Sequence, residues 1–183
     1  ERIDDNVVFS IGEGDDTLTS GDGAATFTGG AGKDRLQANL ATGAVVLDGG
    51  EGDDILLGGS GVNELTGGPG NDRITGGSSA DTLRGGTGTD TLSGASEADT
   101  YIFEANFGED RWSDADGVST IDLSATTEDL VVDISATGIK IAGPDAELRF
   151  GRSEIDTILL GTGDDLLRIR DWPAGTLTID DAG

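Results

Sequence analysis

Along much of the chain one large apolar residue returns at every ninth position, with polar or small residues on either side. Leu18, Phe27 and Leu36 begin the series, and Leu56, Leu65, Ile74, Leu83, Leu92 and Tyr101 continue it. One side chain pointing inward between two pointing outward is the alternation of a short β-strand. Each repeat therefore predicts a strand whose middle residue is buried. The segments between strands are rich in glycine, which supplies the positive φ angles that tight turns need. Short strands and turns at a fixed period mark a repeat architecture, in which each unit buries its apolar residue by stacking on its neighbours.

The turns carry a second pattern. Gly29–Gln37 reads GGAGKDRLQ, Gly49–Leu57 reads GGEGDDILL, Gly67–Thr75 reads GGPGNDRIT and Gly85–Ser93 reads GGTGTDTLS. The shared form is G-G-x-G-x-D-x-U-x, with U apolar. Ile11–Thr19 (IGEGDDTLT) fits it closely. Ser20–Thr28 has Ala25 at the acidic position, Gly58–Thr66 has Asn63, Gly76–Arg84 has Ser79 for its third glycine, and Gly94–Ile102 is weaker still. Ala38–Asp48 is an eleven-residue unit that keeps apolar residues but has no acidic residue in its turn. Val45 or Val46 is expected to fill its core position.

Composition narrows the function. The chain has 183 residues, 36 Asp or Glu against 11 Lys or Arg, and a formal net charge of −25. Such a surface repels nucleic acid. With no His and no Cys, thiolate or imidazole zinc sites, disulfides and Ser-His-Asp or Cys-His catalysis are excluded. No apolar run approaches the length of a membrane span. The carboxylates are hard oxygen donors of the kind that Ca²⁺ takes.

The nonapeptides resemble the repeat-in-toxin, or hemolysin-type, calcium-binding family, over roughly 11–102 and again over 151–168. That resemblance implies an all-β fold: a right-handed parallel β-roll solenoid with calcium-binding Gly-Asp turns. It further implies that two nonapeptides make one coil, so that alternate turns fall on opposite edges, and that several calcium ions sit between successive turns of one edge. One edge then holds Gly12, Gly14 and Asp16; Gly30, Gly32 and Asp34; Gly50, Gly52 and Asp54; Gly68, Gly70 and Asp72; and Gly86, Gly88 and Asp90. The other holds Ala25, the irregular loop, Asn63, Gly77 with Asp81, and Asp99. A lopsided roll is expected, with most of its calcium on the first edge and the two-residue insertion on the second. The fifth-position residues Asp15, Lys33, Asp53, Asn71 and Thr89 vary too much to be required ligands and are expected to face solvent.

Beyond Ile102 the pattern decays. Asp110 and Ser119 keep the nine-residue spacing, with Trp112 and Ile121 at inward positions. Asp129–Ile134, Gly138–Ala142 and Glu147–Phe150 read as β segments of an irregular insertion or cap, with turns at Thr137-Gly138 and Gly143-Pro144-Asp145. Repeats return at Gly151–Leu159 and Leu160–Arg168, where Asp156 and the set Gly161, Gly163 and Asp165 fall on opposite edges and need partners in the 102–123 coils or downstream. Trp172 and Leu177 are placed to close the core. The divisions expected are a main roll (1–103), degraded coils with the insertion or cap (104–150), and a second short array with a C-terminal cap (151–183).

An acid/base hydrolase built on Asp110, Asp114 and Asp116 beside Trp112 has less support than metal turns, because catalysis needs one special place and the repeat gives every turn a similar task. The reading favoured is a non-catalytic calcium module, secreted or on the bacterial cell surface, that folds on export and serves an adhesin or surface layer. The alternative is a repeat module of a secreted enzyme. Neighbouring modules of the same chain or assembly, or an extracellular polysaccharide, are the partners considered besides calcium.

Overall fold

The computed structural model describes residues 7–114, 119–135, 138–143, 147–150, 155–169 and 177–181. Its strands are β1 (Val7–Glu13), β2 (Thr17–Thr19), β3 (Ala25–Ala31), β4 (Arg35–Gln37), β5 (Val45–Glu51), β6 (Ile55–Leu57) and β7 (Asn63–Gly70). They continue with β8 (Arg73–Gly77), β9 (Thr82–Gly88), β10 (Thr91–Ala95), β11 (Thr100–Ile102), β12 (Glu109–Ser113) and β13 (Ser119–Asp122). The last are β14 (Val131–Ser135), β15 (Gly138–Ala142), β16 (Glu147–Phe150), β17 (Ile155–Leu160), β18 (Leu166–Ile169) and β19 (Thr178–Asp181).

Successive strands alternate between two sheets until β13. The first sheet runs β1-β3-β5-β7-β9-β11-β13-β17-β19, and the second runs β18-β14-β15-β16-β12-β10-β8-β6-β4-β2. All pairings are parallel except β14 with β15 and β15 with β16. The fold is the parallel β-solenoid that the resemblance implies, with two nonapeptides per coil.

Register turns the apolar period into two facing columns. Phe27, Leu47, Leu65, Leu83, Tyr101, Ile121 and Ile158 stack in the first sheet. Leu18, Leu36, Leu56, Ile74, Leu92 and Trp112 stack in the second. Nearly all are fully buried, and burial of one such side chain stabilises by about 1.5–3 kcal/mol. Phe9 extends the first column, its ring 6.1 Å from that of Phe27. Tyr101 and Trp112 stack 4.6 Å apart across the core.

The irregular unit differs from expectation. Its core rung is Leu47, not Val45 or Val46. The two extra residues are absorbed in the 38–44 loop, ahead of β5, so Val45 pairs with Ala25 and Asn63 and Val46 faces outward. The loop lies on the edge that carries Ala25 and Asn63, where the insertion was expected. A second two-residue insertion lies in the turn 103–108, because Thr91 pairs with Arg111 while Thr82 pairs with Thr100. First-sheet strands up to β9 are also longer than three residues. The glycines join the ladder there, Gly12 to Gly30, Gly30 to Gly50 and Gly68 to Gly86.

Of the two readings, insertion or cap, the segment 131–150 is an insertion. It is a meander woven into the second sheet, where β16 pairs with β12 and β14 with β18. Three strands thus stand where another coil supplies one. Leu177 packs against the core, whereas Asp116, Gly117, Thr137, Pro144, Asp145, Trp172, Pro173 and Gly175 lie outside the described residues.

Candidate metal-binding edges

Turns leading from the first sheet to the second form one edge, and they bring the predicted glycines and aspartates into columns. Gly30, Gly50, Gly68 and Gly86 have φ between +102° and +125°, a region costly for residues with a Cβ. A Cβ on Gly50 would lie 2.0 Å from the Gly30 carbonyl oxygen, and one on Gly52 would lie 1.9 Å from that of Gly32. Each glycine therefore leaves room for a carbonyl of the preceding coil.

The first-position glycines serve the carboxylates. A Cβ on Gly49 would lie 2.2 Å from Asp54 Oδ2 and 2.7 Å from the Gly67 carbonyl oxygen. The same two oxygens meet at Gly29 (Asp34 and Gly49) and at Gly67 (Asp72 and Gly85). Meanwhile Oδ1 of each aspartate accepts the backbone N–H of its counterpart one coil earlier: Asp34 from Asp16 (2.9 Å), Asp54 from Asp34, Asp72 from Asp54 and Asp90 from Asp72 (each 2.7 Å). The other oxygen, Oδ2, of Asp34, Asp54, Asp72 and Asp90 is buried without a hydrogen-bond partner. A buried carboxylate oxygen beside a carbonyl oxygen, with no donor between them, costs free energy unless a cation joins them. Hard oxygens of this kind suit calcium, which takes six to eight. Among the described residues no three acidic side chains gather at one point, so any ion must take much of its shell from the backbone.

Burial weakens these acids when no cation is present. It pushes Asp72 up to about 7 and Asp90 up to about 6, against the opposing effect of the N–H each accepts. Burial likewise raises Asp54, with repulsion from Asp34 adding to it.

The column runs one rung further than the five predicted turns. Asp110 Oδ1 accepts the N–H of Asp90 at 2.8 Å, its Oδ2 is buried without a partner, and burial pushes its carboxyl up to about 7. Gly108 stacks on the Gly88 carbonyl, and Asn106 takes φ +63°, a conformation that asparagine tolerates best after glycine. The nine-residue spacing from Asp110 to Ser119 pointed to this rung, but the insertion hid its glycine pattern.

The opposite edge stacks Ala25, Val45, Asn63, Asp81, Asp99 and Ser119 at the same position. Its early part has no ligand side chain. Asp81 and Asp99 repeat the other edge's geometry. Asp99 Oδ1 accepts from Asp81 N–H at 2.8 Å, Asp81 Oδ2 lies beside the Gly94 carbonyl with no partner of its own, and burial pushes Asp81 up to about 6. Gly77 keeps φ +149°, but Ala95 and Glu97 sit at +83° and +74° in the following turn. In the next turn the carboxylate moves: Ser119 holds the stacking position and donates its hydroxyl to Asp114, from the place of the first glycine. Asp110, Asp114 and Trp112 are all buried, so those three line no open cleft.

The second array is joined in an unexpected place. Asp165 Oδ1 accepts the N–H of Leu130 at 2.8 Å, and Gly161 and Gly163 pack on the carbonyls of Thr126 and Glu128. Its partner is thus the 123–130 turn, not the 102–123 coils or a downstream unit. The meander displaces the second sheet, while β13 pairs directly with β17. Asp156 is the extra residue of a bulge in β17, and Ile155 pairs with Ser119 instead. The fifth-position side chains are exposed, as expected, yet ordered: Asp15 accepts from Lys33 N–H, Asp53 from Asn71 N–H and Asn71 from Thr89 N–H.

The profile of the RTX calcium-binding nonapeptide repeat (4 copies) matches residues 10–40, 41–65 and 66–101, half of the chain. The chain belongs to the RTX calcium-binding repeat family. No curated protein is matched. Membership makes the chain a calcium-binding structural module of a secreted or cell-surface protein. No described helix is long and apolar enough to cross a membrane.

Proposed function

We propose that this RTX module holds a row of calcium ions along one edge, in the turns ending at Asp16, Asp34, Asp54, Asp72, Asp90 and Asp110, and fewer at Asp81–Asp99 and Asp165. One observation carries this reading: the unpartnered, buried Oδ2 that Asp34, Asp54, Asp72 and Asp81 each present to a glycine carbonyl of the next coil. The ion supplies the positive charge that both oxygens lack. The chain's own residues bring those oxygens together and keep water from them.

The same ions act as a folding switch. At net charge −25 the metal-free coils repel one another, and the glycines gain entropy on unfolding. Ligand binding to the folded state adds about 2.7 kcal/mol per site when calcium is 100-fold above its dissociation constant. Cytosolic calcium is too low for weak extracellular-type sites, so the chain stays unfolded until export and folds outside. The main array, the woven meander and the second short array then form a continuous spacer in an adhesin or surface layer, with neighbouring modules as partners. Circular dichroism and hydrodynamic radius during a calcium titration test this. Conversion from an expanded chain to a compact β-rich one in millimolar calcium is expected; a compact β-rich chain in excess chelator defeats it.

A further inference from the structure

Asn63 stands in the aspartate column of the poorer edge, fully buried. Its Nδ2 lies beside Gly58, where Asp54 and Asp72 put Oδ2 beside Gly49 and Gly67, and the next coil's carbonyl, from Gly76, is again adjacent. That nitrogen donates to Asp81 Oδ1 at 2.9 Å and to the carbonyls of Gly59 and Gly76 at 3.3 Å each. The three acceptors fix the amide's orientation. Reversing it would set Oδ1 against three oxygens, which outweighs leaving Oδ1 without a partner as it is now. On the other edge the matching oxygen faces a carbonyl with no donor between them. At Asn63 the donor is part of the chain.

The rungs before Asn63 are Ala25 and Val45, which present no side-chain oxygen, and the rungs after it are Asp81 and Asp99. Asn63 is thus the junction between an apolar half-column and an acidic one. We propose that Asn63 terminates the calcium column of this edge: its carboxamide makes, without a metal, the contacts to Gly59, Gly76 and Asp81 that a cation would otherwise make, so no ion lies between the 58–63 and 76–81 turns. The inference rests on calcium binding by the Asp turns. It adds that one atom, nitrogen or oxygen, decides whether a given turn takes an ion.

The test is a pair of reciprocal variants of this chain, with bound calcium counted by equilibrium dialysis and folding followed by circular dichroism with and without chelator. Asn63→Asp is expected to bind one more calcium than the wild type and to need more calcium to reach half-folding. Asp72→Asn is expected to bind less calcium while keeping more β-structure in chelator than either the wild type or Asp72→Ala. A folded Asn63→Asp with wild-type stoichiometry overturns the proposal and leaves calcium binding by the other turns standing. So does an Asp72→Asn that behaves as Asp72→Ala in chelator, which decides the matter if Asn63→Asp does not fold. A wild type that binds no calcium overturns both readings.

Discussion

The turns Gly49–Asp54 and Gly58–Asn63 follow one another in the chain and lie on opposite edges of the same solenoid. Both have glycine at the first, second and fourth places. On one edge, Gly50 and Gly52 adopt φ of +102° and +127°, and an unpaired carboxylate oxygen faces a carbonyl. On the other, Gly59 packs on the carbonyls of the 38–44 loop, and an amide nitrogen faces the carbonyl instead. The comparison separates two tasks that the repeat combines. Glycines let coils approach closely enough to stack. The residue at the sixth place decides whether the stacked carbonyls need a cation.

The largest expected effect comes from removing one ligand. Asp54→Ala disturbs two neighbouring sites, since its two oxygens serve different coils, and is expected to cost about 5 kcal/mol at saturating calcium, or two sites at about 2.7 kcal/mol each. Counting bound calcium checks it, with Asn63→Ala as the control that loses none. Equal losses from both would dissolve the distinction between edges.

Next in size is a methyl group. Gly68→Ala must place a Cβ 2.2 Å from the Gly50 carbonyl at φ +111°, and a cost of about 3 kcal/mol is expected in thermal unfolding with calcium.

Acid is expected to replace calcium in part. In chelator, the folded-state values of Asp72 and Asp110, raised to about 7, and of Asp81 and Asp90, raised to about 6, lie above the ordinary 3.8 of the unfolded chain. The folded state therefore binds more protons, and its stability rises as pH falls through 7 and 6 toward 4, then is lost again as pH is raised. With calcium the direction reverses, because protons compete for the ligands. Denaturant midpoints at pH 8 and pH 5, with and without calcium, check both signs. Three of these four aspartates lie on the richer edge, so Asp72→Asn should flatten the metal-free profile more than Asn63→Ala.

The smallest effect is a gain. Ala95 holds a left-handed conformation that glycine adopts freely. Ala95→Gly is expected to stabilise by about 0.5–1 kcal/mol after glycine's own entropy cost, without altering bound calcium.

Much of this was legible in the residues. The ninefold return of one apolar side chain determined the strands, the inward columns and the solenoid, because a short strand has one buried middle position and nowhere to bury it except against the next coil. The Gly-Asp spacing determined the turns and the edge on which the aspartates stack, since few other sequences pass left-handed backbone and a carboxylate through the same place. Tertiary structure decided what depends on counting residues across coils. It chose Leu47 over Val45 and Val46 because the loop absorbs its extra residues before the strand begins. It carried the aspartate column on to Asp110 because Asn106 and Gly108 restore register after an insertion. It joined Asp165 to the 123–130 turn, 35 residues away, because a three-stranded meander can widen one sheet while the other closes directly. Stacking partners in a solenoid are set by register in space, and the local pattern does not say where an insertion is absorbed.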